Sequence, residues 1–290
     1  MRLQSNSRGP GRRHQIKPLA RDLGCAGSSL VLSFGCNFAE RELYLRPWVH
    51  VNRSAVRRQL DLRNANREVA ASRRTLVVAQ PATFSGLTSP LKFQSSRSMR
   101  HSMPIVTPRL ILRPPTLSDL DFIQSAKEDA WPDLQRWMAW AFDDQRSRRA
   151  MEDSIRRTMD YQNQAGIALA GFHRFKGDFV VRTALDLTDV PDVYETGYWV
   201  APKYAGQGMA TEAANAAIRY AFGHLGAKAI SIGYFDGNEP SRRIVEKLGF
   251  QKVGVAHQAA TRCLDGMKLD RHEYILTTPN ALPELDVSWG

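Results

Sequence analysis

From residue 105 onward the chain falls into short apolar runs separated by turn residues. Residues 105–113 alternate after Pro108 and predict a strand stopped by Pro114-Pro115. Thr116-Leu117-Ser118-Asp119 has capping-box spacing, and Leu117, Leu120 and Ile123 carry it into the apolar stripe of a helix. Further helical patterns cover 131–142 and 145–164. Strand patterns at 167–172, 179–186 and 193–200, with turns at Lys176-Gly177 and 189–191, predict an antiparallel meander. An alanine-rich helix over 208–225 would bury Ala210, Ala213, Ala214, Ala217, Ile218, Ala221 and Phe222, and alanine at those positions lets a helix lie close to a sheet. Residues 229–234 form the next strand pattern, and 251–257 and 268–277 flank a turn at Asp265-Gly266. The pattern predicts an α+β domain: a mixed, mostly antiparallel sheet of six or seven strands with helices on both faces. No internal repeat is visible.

Charge changes this picture only for the N-terminal third. A formal net charge of +11 points by itself to an anionic partner such as nucleic acid. Residues 1–100 hold 18 Lys and Arg against 5 Asp and Glu, whereas the remainder holds 22 against 24. The positive charge belongs to the first hundred residues, and no nucleic-acid partner is expected of the rest. Sixteen of those 18 basic residues are arginine, serine is frequent, and neither a 3.6 nor a 2.0 period is sustained. We expect residues 1–102 to form a disordered Arg/Ser-rich segment and 103–290 a single domain with its own core. Three origins fit the segment: a translation start placed too far upstream, an Arg- and Ser-rich organelle transit peptide, or a basic tail with a partner of its own. No apolar run reaches the roughly 20 residues of a membrane helix, so no membrane association is expected. Cys25 and Cys36 lie in the basic segment and Cys263 is alone in the domain, which excludes a disulfide framework or a CxxC metal site. The expected compartment is a reducing cytoplasm, or an organelle should the segment be a transit peptide. Monomer and homodimer are both left open.

The candidate chemistry begins after the 193–200 strand. Lys203-Tyr204-Ala205-Gly206-Gln207-Gly208 leads into a helix that opens Met209-Ala210-Thr211-Glu212. N–H groups in a helix's first turn have no partner within the helix and sit at the positive end of its dipole. Glycines let that backbone approach an anion closely. The spacing is not that of a P-loop, since Gly208 is followed by Met209-Ala210, nor of a dinucleotide fingerprint, whose third glycine is replaced by Thr211. Taken alone, the loop reads equally well as a tight turn. Downstream, Asn238 reads as a helix N-cap with Pro240 in the first turn, and Gly249 as that helix's stop before a strand at Phe250.

Three stretches in this order carry a resemblance: Glu195-x-Gly197-Tyr198-Trp199; Lys203-x-x-Gly206-x-Gly208 with Ala210-Thr211-Glu212-Ala213; and Asn238-x-x-Ser241-x-Arg243-x-x-Glu246-Lys247-Leu248-Gly249-Phe250. They resemble the GNAT acetyltransferase superfamily, and within it the branch of RimJ/RimL-type ribosomal-protein N-terminal acetyltransferases. The likeness covers about residues 103 to 278.

The resemblance implies acetyl-CoA as co-substrate, no metal, and transfer to a primary amine. It makes the backbone N–H groups of Tyr204, Ala205, Gly206, Gln207 and Gly208 candidates for the pyrophosphate. Lys203 stands where relatives carry Arg or Gln and keeps the charge without the planar fork. Thr211 either adds a hydroxyl contact or is only a polar residue of the first turn. Asn238 and Ser241 read as caps; by resemblance Asn238 also contacts the pantetheine arm and Ser241 lies near the sulfur as a general acid. The tyrosine that many relatives place a few residues later is replaced by Ile244 and Val245, which leaves Ser241 or a water for that proton. Glu195 is the candidate base, with Asp192, Asp186 and Tyr198 as fallbacks; its bland alternative is a strand-edge carboxylate in water. Backbone N–H near Trp199 and Val200 is the implied oxyanion donor. Trp137-Met138-Ala139-Trp140-Ala141-Phe142 is either ordinary core or one wall of an acceptor cleft. His173, His257 and His272 show no metal spacing and receive no role.

The acceptor is narrowed by proton chemistry. An α-amine has a pKa of about 7.8 and a lysine amine about 10.4, so lysine costs some 3.5 kcal/mol more to deprotonate at neutral pH. A site with one carboxylate base is better matched to a protein N-terminal α-amine, the leading acceptor class. A small amine such as an antibiotic, a polyamine or an amino acid is the second reading. A non-catalytic acyl-CoA-binding module is the third.

Overall fold

The structure, a computed structural model, describes residues 103–161 and 166–290 together with Arg58, Leu60 and Asp61. The expectation for residues 1–102 otherwise lies outside the described residues. Leu60 packs against a small apolar cluster of Val193, Ala229 and Ile275.

The domain opens with β1 (Ile105–Val106) and β2 (Leu110–Arg113), an antiparallel pair where the alternation predicts one strand. Pro108 is the reason: it has no N–H to give a ladder. Thr107 closes the turn around it, its N–H donating to Leu110 O and its Oγ1 accepting from Leu110 N, both at 2.9 Å. The capping box at Thr116 is present. It leads into α1 (Leu120–Trp137), which runs through Pro132 and merges the two predicted helices. Ala130, Trp131 and Leu134 bury against Ala141, Met138 and Trp199 and hold the helix together across the missing N–H. At Met138 the backbone turns extended, so 138–142 is loop rather than helix. A second helix, α2 (Arg148–Tyr161), follows.

β3 (Gly166–His173), β4 (Phe179–Leu187) and β5 (Val193–Val200) form the expected antiparallel meander. α3 (Met209–Gly223) buries Ala213, Ala214, Ala217, Ile218 and Ala221 in the main core and lies across β4 and β5. The chain continues through β6 (Ala229–Phe235), α4 (Glu239–Lys247), β7 (Gln251–Thr261), β8 (Lys268–Leu276) and β9 (Ser288–Trp289). Among the described residues the nine strands join one sheet in the order β7-β8-β6-β5-β4-β3-β2-β1-β9. The excess over six or seven is explained by β1 and β9, two residues each, too short to show a period. Among the described residues β5–β6 is the one parallel pair; the others are antiparallel.

Gly249 ends α4 with φ at +75°, and a Cβ there would lie 2.7 Å from Ala281 O and 2.9 Å from Ala281 Cβ. Gly249→Ala is therefore expected to lower stability by about 2–3 kcal/mol, combining left-handed strain with a backbone clash. Urea unfolding measures this, and a loss below about 0.5 kcal/mol would show that the Pro279–Ala281 turn yields freely.

Candidate active site

β5 and β6 pair only over Val193–Glu195 against Ala229–Ser231. Beyond that point β5 stays with β4 through Val200, while β6 stays with β8 through Phe235. A wedge opens between them, lined by Gly197 and Tyr198, by Ile232 to Phe235, by Asn238 and Ser241 of α4, by Trp137 and Met138 at the end of α1, and by Arg271 of β8. Side chains alternate along β5. Glu195, Gly197 and Trp199 share the face on which Trp199 meets the α1 cluster. Tyr198 takes the opposite face, where it meets Ser241.

The backbone of β5 also alternates. Ala201 N donates to Val180 O and Thr188 N to Val193 O. With the register, this makes Trp199–Arg182 and Gly197–Ala184 the hydrogen-bonded pairs of the antiparallel ladder. The residues between them turn their N–H groups the other way, so Tyr198 and Val200 aim theirs into the wedge. Trp199, expected beside Val200 as an oxyanion donor, faces β4 instead. Its ring meets that of Phe179 at a tilt of 50°, with centroids 5.3 Å apart.

The glycine loop directly follows the C-terminal end of β5. Gly206 and Gly208 have φ of 73° and 76°, the left-handed region that Gly enters without Cβ strain, and Gly208 caps α3. The first helical bond is Glu212 N to Gly208 O at 3.0 Å, so the N–H groups of Met209, Ala210 and Thr211 precede it. Two expected donors are otherwise engaged: Tyr204 N bonds Ala201 O at 2.8 Å and Ala205 N bonds Pro202 O at 3.1 Å. Lys203 is turned away too, with Nζ on Asp178 at 2.7 Å, where Tyr204 Oη also donates at 2.5 Å. A guanidinium reaches the loop from elsewhere. Arg109, just before β2, donates through Nη1 to Gln207 O at 2.9 Å and through Nε to Glu212 at 2.6 Å. Glu212 is buried and also accepts from Thr107 Oγ1 at 2.7 Å and Arg109 N at 3.0 Å.

At the start of α4, Asn238 Oδ1 accepts from Ser241 N at 3.2 Å, the cap expected from the sequence. Ser241 Oγ lies 3.2 Å from Tyr198 Oη. Burial pushes the Tyr198 phenol up to about 12, which makes it a poor base.

Glu195 is fully buried, which excludes the strand-edge carboxylate in water. It pairs with Arg271, whose guanidinium also lies 3.5 Å from Glu273. Gly233 makes room for that guanidinium, since a Cβ there would come within 2.5 Å of it. Arg271 lines the wedge and Glu195 does not, so the guanidinium stands between the carboxyl and the open space. Glu195 Oε2 is buried without a hydrogen-bond partner. Burial, helped by the charges of Asp186 and Glu273, pushes its carboxyl up to about 8 against the pull of Arg271. Of the fallbacks, Asp186 sits opposite Glu195 on β4, and Asp192 pairs with Lys228 at 2.7 Å before β5 begins. The aromatic run divides between its two readings: Trp137 and Met138 line the wedge, whereas Ala141 is core. Cys263 Sγ donates to Met138 O at 3.3 Å and Leu264 N to Gln135 O at 3.1 Å, which tie the β7–β8 turn to the end of α1. Among the described residues no group of three or more His, Cys, Asp or Glu is placed to hold a metal.

Residues 109–251 match the family model described as Acetyltransferase (GNAT) domain. The chain carries a GNAT acetyltransferase domain. It is 37 % identical over 82 residues to "Putative ribosomal N-acetyltransferase YdaF" of Bacillus subtilis, covering 28 % of this chain and 44 % of that protein. It is 34 % identical over 85 residues to "Uncharacterized N-acetyltransferase YoaA" of the same organism, covering 29 % and 47 %. The chain thus spans less than half the length of these two relatives. The solved structure of Mycobacterium smegmatis RimJ in complex with CoA-disulfide superposes with a TM-score of 0.54 at 20 % identity, over 63 % of this chain and 89 % of that one, a likeness of fold.

Within the GNAT domain, sequence reasoning missed Arg109, Arg271 and the contact of Tyr198 with Ser241, all of which depend on elements distant in the chain. The bracing of the glycine loop is open to measurement. Glu212→Ala strands two donors of Arg109 and leaves the Thr107 hydroxyl only its longer bond to Leu110 O at 3.3 Å, and is expected to cost about 2 kcal/mol in urea unfolding, because water re-solvates the half-exposed guanidinium. Glu212→Gln, which keeps an acceptor, should lose less; equal losses would show that the carboxylate's bonds to Arg109 and Thr107 do not carry the effect.

Glu195 sets a second expectation. Its folded pKa is raised, so its contribution to stability is complete below about 4.5 and is lost as pH rises through about 8. The melting-temperature difference, wild type minus Glu195→Gln, should therefore fall between pH 5 and about 9. A constant difference would mean that the carboxyl titrates as it does in water.

Proposed function

We propose that the protein transfers an acetyl group from acetyl-CoA to a primary amine, with a protein N-terminal α-amine as the leading acceptor class. The observation that carries this reading is the wedge between β5 and β6, lined by Tyr198, Asn238 and Ser241, with the glycine loop following the strand that forms one of its sides. The N–H groups from Gly206 to Thr211, with Arg109 behind them, would take the pyrophosphate at the positive end of α3. The pantetheine arm would run past Asn238. The N–H groups of Tyr198 and Val200 point to where the thioester oxygen would gain charge. Ser241 would donate to the departing thiolate. Glu195 lies on the acceptor side, and for direct proton removal either Arg271 shifts or one water bridges the two.

Proton matching supports the α-amine. A carboxyl near 8 is balanced against an α-amine near 7.8, whereas a lysine amine near 10.4 leaves an uphill transfer. The ribosomal acetyltransferase named among the relatives agrees with this class. We place the activity in the cytoplasm, since the free Cys263 needs no oxidising compartment. Among the described residues no helix is long and apolar enough to cross a membrane.

The test is turnover of acetyl-CoA by the full chain with three amine sets: peptides with a free N-terminus, the same peptides blocked but carrying lysine, and polyamines with other small amines. We expect kcat/KM for free N-termini at least tenfold above lysine, and a loss of 10²-fold or more in Glu195→Gln. Turnover confined to small amines would replace the acceptor class. Tight acetyl-CoA binding without turnover would identify an acyl-CoA-binding module.

A further inference from the structure

We propose that Tyr198 is a positioning residue for Ser241: its phenol donates to Ser241 Oγ and thereby directs the serine's own hydrogen into the cleft, toward the sulfur of coenzyme A. This rests on the reading of Ser241 as the group that meets the departing thiolate.

The two hydroxyls face each other across the wedge at 3.2 Å, one from β5 and the other from the first turn of α4, and both line the cleft. Geometry at that distance admits either donor. Chemistry decides between them. A phenol, with a pKa of about 10, is a far stronger acid than an aliphatic alcohol, so in a phenol–alcohol pair the phenol donates and the alcohol accepts. The serine then keeps its hydrogen for a third partner. Asn238 Oδ1 accepts from the backbone N–H of Ser241, which fixes where the serine's Cβ stands at the edge of the cleft. Desolvation keeps the phenol neutral, so it stays a donor throughout. Tyr198 neither gains nor loses a proton overall; it supplies one hydrogen bond, and Ser241 supplies another to the sulfur. Residue 198 would thus serve the reaction twice: its N–H points into the gap where the thioester oxygen would lie, and its ring sets the serine. The helix itself carries Ile244 and Val245 and no tyrosine, and the phenol arrives from a strand instead.

The test needs no acceptor. Coenzyme A is bound to the full chain, and the pKa of its thiol is followed by thiolate absorbance in wild type, Tyr198→Phe, Ser241→Ala and the double variant. A hydrogen bond directed at the thiolate should lower the bound thiol pKa by about one unit, tenfold in acidity, relative to either single variant. The double variant should match Ser241→Ala. Should Tyr198→Phe fail to fold, difluorotyrosine at position 198, a stronger donor of nearly the same shape, should lower the thiol pKa below that of wild type. A Tyr198→Phe value equal to wild type overturns the proposal, as does a further rise when Tyr198→Phe is added to Ser241→Ala. If Ser241→Ala itself leaves the thiol unchanged, the assignment of Ser241 falls and Tyr198 falls with it. If the wild-type chain binds no coenzyme A, the acetyl-CoA reading fails, and the proposal with it.

Discussion

The structure depends on a limit to pairing. β5 and β6 lie side by side for three residues and then separate, because each is claimed on its far side by a longer antiparallel partner. Buried N–H groups seldom go without a partner, so a sheet that opens between two central strands must offer something else to occupy the gap. Here the opening leaves the N–H groups of Tyr198 and Val200 facing space. Side chains from α1, α4 and β8 wall that space in without closing it. The short parallel segment thus both holds the two halves of the sheet together and keeps them apart where chemistry needs room.

The two faces of the opening differ in electrical character. On the α3 and α4 side the groups are neutral hydroxyls and a helix N-terminus, which under the proposed function would meet phosphates and a sulfur that gains charge. On the α1 side Glu195 and Glu273 compete for one guanidinium, and burial keeps the Glu195 carboxyl protonated over much of the neutral range. Gly233 is central to that side, since any larger residue would push Arg271 off the floor of the wedge. The N-terminal strand pair reaches the same site by a different route, because Arg109 and Thr107 clamp Glu212 beneath the glycine loop.

Much of the fold was legible along the chain where periodicity was unbroken. The 193–200 strand matches to the residue, and α3, β6 and the Asn238 cap fall within a residue or two of their expected places. Legibility failed at prolines, in opposite senses. Pro108 split an apparent strand into a hairpin, because a side-chain hydroxyl was at hand to close the turn. Pro132 did not break a helix, because the residues around it were buried against a distant tryptophan. Local rules name the weak point in both cases, and tertiary contacts decide what happens there.

The same division holds at the site. The order of its short motifs, the glycines that need left-handed backbone and the capping asparagine are properties of neighbouring residues, and these the sequence determined by itself. It also determined which residue types were present: one glutamate on β5, a serine on α4, and no tyrosine further along that helix. Which of them meet was decided only by the tertiary structure. Tyr198 reaches Ser241 across 43 positions, Arg271 reaches Glu195 across 76 and Arg109 reaches Glu212 across 103. Such contacts follow from strand order and from where two strands part, and no local spacing encodes either. Burial decided the rest, because the charge that Glu195 carries depends less on its neighbours in the chain than on the water that the assembled fold removes from around it.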